Sequence, residues 1–399
     1  MKIVGIIAEY NPFHNGHQYH IEKALEATGA DAAVVVMSGD FVQRGAPAIM
    51  PKHLRAKMAL NGGASLVLEL PVPYATGSAE YFAYGAVSLL DKLGCVDSIC
   101  FGSECGDIDK LSELAKIFAT EPDEYKLLLS DYLKKGHSFP LARQFAMHEY
   151  MKSDSIDSIL KEPNNILGIE YLKALYMLNS NIKPYTIQRI SSQYHDQELK
   201  ETYSSASAIR NELKLSALNH LENQISSDNY SLLIESYEKR YPIYPNDLSL
   251  LLKYKLLQET KESLTTYMDV SEDLANRILN RLDEYQNIEQ FCELLKTKEL
   301  TYARISRSLI HILLDITKDN YQGITYARVL GFQKSRSDIL ALIKENSSLP
   351  LVTKLTAYPD LPGINVDIKA SNLYESIVTD KFQTKFQSEY IKQLIISQN

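Results

Sequence analysis

Apolar positions fall into two regimes along the chain: short unbroken runs separated by segments of helical spacing in the first half, and helical spacing almost alone in the second. The run Ile3, Val4, Ile6 and Ile7 breaks at Asn11-Pro12. From Gln18 to Thr28, Ile21, Ala24 and Leu25 fall on one side, with Glu22, Lys23 and Glu26 on the other. An unbroken run of strand length predicts a strand covered on both faces, and a spacing of three and four predicts an amphipathic helix. The pair recurs. Ala32 to Met37, Ser65 to Leu70 and Asp97 to Phe101 predict further strands, with helices at His53 to Asn61 and Ser78 to Leu93 between them. From Asp107 to about Ser180 the spacing is helical, and Pro184 to Ile190 alternates as a fifth strand. Strands that alternate with helices predict an α/β fold, a parallel sheet with helices on both faces.

The sheet-forming region ends near Leu215. Beyond it, Ser226-Ser227-Asp228-Asn229 and Tyr241-Pro242-Ile243-Tyr244-Pro245 break a helical pattern with few strand signals, which predicts a division into residues 1–215 and a mainly helical 216–399. No low-complexity linker separates the two, so they are expected to pack together. A length of 399 residues provides for more than one core, and 45% hydrophobic with 23% charged residues is the composition of a soluble globular protein. No apolar run reaches the length of a membrane span, and the first strand lacks the basic flank of a signal peptide. The expected compartment is the cytoplasm, with no membrane partner. Cys95, Cys100, Cys105 and Cys292 lack the spacing of a zinc site and are expected to be buried thiols. The net charge of −8 argues against indiscriminate coating of nucleic acid and leaves room for a local basic face.

His14-Asn15-Gly16-His17 lies where the first strand hands over to a helix. A helix start offers unpaired N–H groups and a partial positive charge, and two imidazoles three apart across a glycine can converge on one oxyanion. Gly102-Ser103-Glu104, after the fourth strand, is expected on the same sheet edge. The loop from Asp40 to Lys52 carries Gln43 and Arg44 and reads either as a ligand loop or as a solvated connection. Asn164, following Pro163 at a helix start, reads as an N-cap. Tyr203-Ser204-Ser205-Ala206-Ser207-Ala208-Ile209-Arg210 reads either as helix capping or as a second phosphate cradle with Arg210 as a forked cation.

In the second half Lys296, Lys298, Arg304, Arg307 and His311 cluster. On a helix from Thr301 to Leu314 the last three share one face, and Ile305, Leu309 and Ile312 share another. Thr301-Tyr302-Ala303-Arg304 and Thr325-Tyr326-Ala327-Arg328 are the same tetrapeptide. Tyrosine with arginine suits single-stranded RNA through stacking and phosphate contact; a solvated basic helix with a chance repeat is the alternative.

The block Gly5-Ile6-Ile7-Ala8-Glu9-Tyr10-Asn11-Pro12-Phe13-His14-Asn15-Gly16-His17 is followed in order by Ser38-Gly39-Asp40-Phe41-Val42-Gln43-Arg44-Gly45, Phe101-Gly102-Ser103-Glu104, Pro163-Asn164-Asn165-Ile166-Leu167-Gly168-Ile169-Glu170-Tyr171 and Tyr326-Ala327-Arg328-Val329-Leu330-Gly331-Phe332. Together these blocks resemble the bacterial tRNA(Met) cytidine acetate ligase family, within the His-x-Gly-His nucleotidylyltransferase superfamily. They span nearly the whole chain, and the first is the specific one. The resemblance implies a parallel Rossmann-like nucleotidylyltransferase sheet domain that binds ATP, followed by a mainly helical tRNA-binding domain. The implied ligase activates acetate with ATP as acetyl-adenylate, releasing pyrophosphate, and transfers the acetyl group to N4 of the wobble cytidine of elongator tRNA(Met), giving N4-acetylcytidine.

By the same resemblance the stretch from Ile7 to His20, including Gln18 and Tyr19, holds ATP with Gly102, Asn164 and Arg189, and His14 and His17 are the catalytic pair. Ser204, Ser205 and Arg210 would form a phosphate turn, although Ala206 stands where the superfamily's Ser-Ser-Thr has its third hydroxyl. Arg44, Lys296, Lys298, Arg304 and Arg307 would meet the tRNA. No protein-held metal is expected, Mg2+ being an optional companion of ATP.

Carboxylate attack on an α-phosphate needs positioning and charge neutralisation rather than a protein nucleophile, which histidine N–H groups and Arg210 can supply. A small-molecule nucleotidylyltransferase acting on a phosphorylated metabolite would use the same His-x-Gly-His chemistry and leave the helical half idle. A non-enzymatic RNA-binding protein would leave the histidine pair unexplained. The chain has neither the Lys-Met-Ser-Lys-Ser segment of an aminoacyl-tRNA synthetase nor the Gly-Lys-Ser/Thr loop of an acetyl-CoA and helicase route.

Overall fold

The structure, a computed structural model, describes residues 1–153, 155–189 and 204–398. Ile190 and Tyr203, which belong to the expected fifth strand and serine turn, lie outside the described residues. The first half supplies β1 (Ile3–Ala8), β2 (Ala32–Ser38), the short hairpin strands β3 (Phe41–Val42) and β4 (Ala46–Pro47), β5 (Leu66–Leu70), β6 (Ser98–Ser103) and β7 (Lys183–Gln188). The last quarter supplies β8 (Ala327–Gln333), β9 (Leu351–Val352) and β10 (Ile395–Ser397). The main sheet runs β10-β8-β5-β2-β1-β6-β7, with β9 beside β8. Every pair in it is parallel except β5 with β8.

The runs without polar positions are explained by the two faces of this sheet. In β2, Ala32, Val34 and Val36 enter one core and Ala33, Val35 and Met37 the other, all fully buried. Each such Val or Met contributes about 1.5–3 kcal/mol over an exposed position. The helices Ala79–Lys92, Ile108–Thr120 and Pro163–Met177 cover the first face through Leu89, Leu111 and Ile169. The helices Asn15–Thr28 and Lys52–Asn61 cover the other through Ile21 and Met58. A third core, built from Leu252, Leu274, Phe291 and Leu309 of the second half, also takes in Phe41 and Val72 from the first.

Two expectations are corrected. The few strand signals beyond residue 215 conceal β8, β9 and β10, and β8 pairs with β5 to extend the sheet. Arg328 interrupts the apolar run of β8, and pairing with Glu389, at 2.6 Å, and Glu69, at 3.4 Å, makes it a core residue. The cysteines are all free, but only Cys100 and Cys292 are buried; Cys95 and Cys105 sit at the two ends of the β6 region and are partly exposed. Among the described residues no helix is long and apolar enough to cross a membrane.

The chain moves outward from β1 to β2 and β5, then returns to β6 on the other side of β1. The crevice at the carboxyl ends of β1 and β6 is therefore the switch point, where open α/β sheets bind ligands.

Candidate active site

His14 is the N-cap of the helix Asn15–Thr28. Its Nδ1 accepts the Gly16 N–H at 3.1 Å, and His17 Nδ1 accepts the His14 N–H at 3.3 Å. The two rings stack with centroids 3.7 Å apart. A Cβ on Gly16 would stand 2.9 Å from His14 Cε1, so glycine is what lets the ring fold back over its own turn. With both Nδ1 atoms acting as acceptors, a neutral imidazole carries its proton on Nε2, and the pair offers two N–H donors.

Burial, with Arg189 and Arg210 nearby, lowers His14 to about 3. Burial, His14 and Arg189 hold His17 well below its ordinary value, and burial and Arg189 lower His20 to about 4. All three are neutral near pH 7. Nε2 of His20 is buried with no hydrogen-bond partner among the described residues.

These histidines line a cleft of about 560 Å³, the size of a ligand pocket. Within residues 7–20, all but Pro12, Phe13, Asn15 and Gln18 reach it. Phe13 is buried in the core, while Asn15 Nδ2 donates to Asn223 O at 3.0 Å and Gln18 Nε2 to Glu22 at 3.1 Å. Gly102, Asn164 and Arg189 also line the cleft. Arg189 Cγ lies 3.3 Å from where a Cβ of Gly102 would stand, so the arginine crosses the bare glycine.

Asn164 does not cap its helix. Instead the Glu104 carboxylate reaches across from beyond β6, accepting Asn164 Nδ2 at 2.6 Å and the Asn165 N–H at 2.9 Å. Asn165 Oδ1 answers by accepting the Glu104 N–H at 2.9 Å. A carboxylate suits the positive end of that helix better than an amide oxygen.

Ser205 caps its helix, and both serines line the cleft. Ser205 Oγ accepts the Ala208 N–H at 3.1 Å, and the Ser204 N–H donates to Gln224 at 3.1 Å. Arg210 joins this turn to the histidine turn, donating to Asn11 O at 2.7 Å and to Ser207 Oγ at 2.9 Å.

Sequence reasoning missed Arg55. Fully buried, it donates to Glu9 O at 2.6 Å, Ser38 O at 3.1 Å, Met50 O at 3.0 Å and also to Gly39 O, tying the ends of β1 and β2 to the loop after them. The available signal was its place three before Met58 and four before Ala59, on the buried side of its helix.

The basic cluster divides. Arg44 lines the cleft; Lys296, Lys298, Arg304 and Arg307 do not. The shared basic face expected for Arg304, Arg307 and His311 is corrected, because the helix Tyr302–Leu313 is packed on more than its apolar side. Arg307 Nε pairs with Asp269 at 2.8 Å, and His311 is fully buried between Met268 O and Thr76 O. Lys296 and Lys298 are exposed and Arg304 half-buried. In the second tetrapeptide, Tyr326 is buried against Asp367 and Arg328 against Glu389, so neither meets RNA. Tyr302 of the first lines the cleft, as do Tyr244, Glu289 and Ser306, which sequence reasoning did not single out for it. Among the described residues no group of three or more His, Cys, Asp or Glu could hold a metal ion.

The chain matches the HIGH Nucleotidyl Transferase family over residues 1–389. It is 45% identical to the tRNA(Met) cytidine acetate ligase of Clostridium acetobutylicum, over 94% of this chain and 96% of the relative. It is 41% identical to that of Clostridium perfringens (strain SM101 / Type A), over 99% and 100%. The crystal structure of apo Thermotoga maritima TmcAL superposes with a TM-score of 0.93 at 34% identity, covering both chains completely. The same protein bound with alpha-thio ATP gives a TM-score of 0.91. This chain belongs to the HIGH nucleotidyl transferase family and, within it, to the tRNA(Met) cytidine acetate ligases.

Proposed function

We propose that this cleft activates acetate with ATP and then acetylates N4 of the wobble cytidine of elongator tRNA(Met). The observation that carries the reading is the convergence of two neutral histidine donors, a serine-capped helix start, Arg189 and Arg210 on one cleft at the sheet's switch point. ATP lies with its phosphates between the histidine and serine turns, near Gly102 and Asn164, the latter held in place by Glu104. An acetate oxygen attacks the α-phosphorus and the bond to pyrophosphate breaks. The Nε2–H groups of His14 and His17 donate to the phosphate oxygens, and the guanidiniums offset the charge of the leaving pyrophosphate. The cytidine N4 then attacks the acetyl carbonyl carbon, the bond to the AMP oxygen breaks, and N4 releases a proton as AMP departs. Any Mg2+ would arrive coordinated by the ATP phosphates. ATP and tRNA as substrates fit a cytoplasmic enzyme.

The relatives' names favour this reading over a small-molecule nucleotidylyltransferase built on the same histidines. The purified protein should exchange pyrophosphate into ATP without RNA and only when acetate is present. Exchange indifferent to acetate, or dependent on a phosphorylated metabolite, would sink the reading. His17→Ala should lower exchange by about 10²–10³-fold, the usual loss for one oxyanion donor.

A further inference from the structure

The cleft has a second wall, remote in sequence from the histidine turn. The β3–β4 hairpin is pressed onto the helix Tyr302–Leu313, with Ser306 Oγ donating to Gly45 O at 2.7 Å. This contact sets Tyr302, in the first turn of a helix capped by Thr301, at the cleft that Arg44 also lines. Tyr244 and Glu289 complete the wall, and both are partly buried, as is Tyr302. Glu289 is held from one side: its Oε2 accepts Asn246 Nδ2 at 2.6 Å, and its N–H donates to Asn246 Oδ1 at 3.1 Å. Its Oε1 has no hydrogen-bond partner among the described residues.

Tyrosine rings beside a carboxylate fixed at one oxygen make a recognisable combination. Aromatic rings stack on an unstacked base, and a carboxylate accepts from an exocyclic amine. Among the pyrimidines cytosine offers an amino group at position 4, where uracil offers a carbonyl oxygen that a carboxylate would repel. A base that must react at N4 has to leave its stack to reach an adenylate at the sheet edge. We propose that Tyr244, Glu289 and Tyr302 form the subsite for the extruded pyrimidine, with Glu289 Oε1 accepting from its exocyclic amine. The subsite lies across the cleft from the nucleotide and admits cytosine in preference to uracil. This inference rests on the acetate ligase reading.

The test compares acetate-dependent pyrophosphate exchange with acetyl transfer to a tRNA(Met) transcript in the full-length protein. Tyr302→Ala and Glu289→Ala should each reduce the ratio of transfer to exchange by about 5- to 150-fold, as expected where one base contact is worth about 1–3 kcal/mol. Tyr302→Phe, which keeps the ring, should retain most of that ratio. An unchanged ratio in both alanine variants, whether from full activity or from equal loss of both steps, would overturn the subsite and leave the ligase reading standing. Exchange by the unaltered protein that ignores acetate would overturn the ligase reading, and the subsite with it.

Discussion

His14 and His17 each commit one nitrogen to the turn and keep the other for the cleft, and this division depends on their being neutral. The consequence for stability has a definite sign. An unfolded histidine titrates near 6.5, whereas burial first, then the nearby arginines, lowers His14 to about 3, and burial and Arg189 lower His20 to about 4. Between those values the unfolded chain binds more protons than the folded one. Stability is therefore full above pH 6.5 and falls as pH drops towards 3, by up to about 1.4 kcal/mol per pH unit for each such histidine. The urea midpoint should decline from pH 7 to pH 5, and less steeply in His14→Gln; equal slopes would show that His14 does not contribute. The His-x-Gly-His turn was readable in sequence because its contacts are made by neighbours. The clamp of Glu104 on Asn164 and Asn165 joins residues about 60 apart, and Arg55 binds only backbone carbonyls, which every sequence has. Neither leaves a local pattern.

Among elements, β1, β2 and β5 were legible as largely apolar runs, and the half-buried β7 as an alternating one. β8 was not, because its stability depends on an ionic cluster assembled from distant segments. Lys52 Nζ lies 2.7 Å from Glu69, 2.8 Å from Glu389 and 2.6 Å from Ser371 Oγ, all buried, and Arg328 joins Glu389. Burial opposes the charge on Lys52, yet Glu389 and Glu69 outweigh it and raise its pKa. Removing Lys52 leaves Glu69 and Glu389 buried with Arg328 as the one cation they still share within this cluster. Lys52→Met should lower unfolding free energy by about 3–5 kcal/mol in urea titrations at pH 7; a wild-type midpoint would mean that water reaches the carboxylates. The repeated tetrapeptide carries the same lesson. Thr301-Tyr302-Ala303-Arg304 opens a helix at the cleft, whereas Thr325-Tyr326-Ala327-Arg328 enters a buried strand. Surroundings, and not the four residues, decide which.

For the whole molecule, the net charge of −8 means that tRNA must be met by local cations. We propose Lys296, Lys298 and Arg304, which surround the start of the helix that brings Tyr302 to the cleft. Lys298→Ala with Arg304→Ala should weaken tRNA binding and make it less sensitive to salt. The slope of log affinity against log salt should fall by roughly one for each phosphate that the variant no longer neutralises. Filter binding across a salt series would measure this, and a wild-type slope would remove these residues from the interface.

The pairing of β5 with β8 also bears on how the molecule is made. The parallel strands β1, β2, β5 and β6 are complete in the nascent chain by Ser103, but the partner for the outer side of β5 begins only at Ala327. Throughout that interval Leu66–Leu70, a run of five residues all buried in the finished protein, is an edge strand with open N–H and C=O groups. Chains emerging side by side can pair along such an edge before their own β8 arrives. Any fragment that ends before residue 327 keeps the edge permanently.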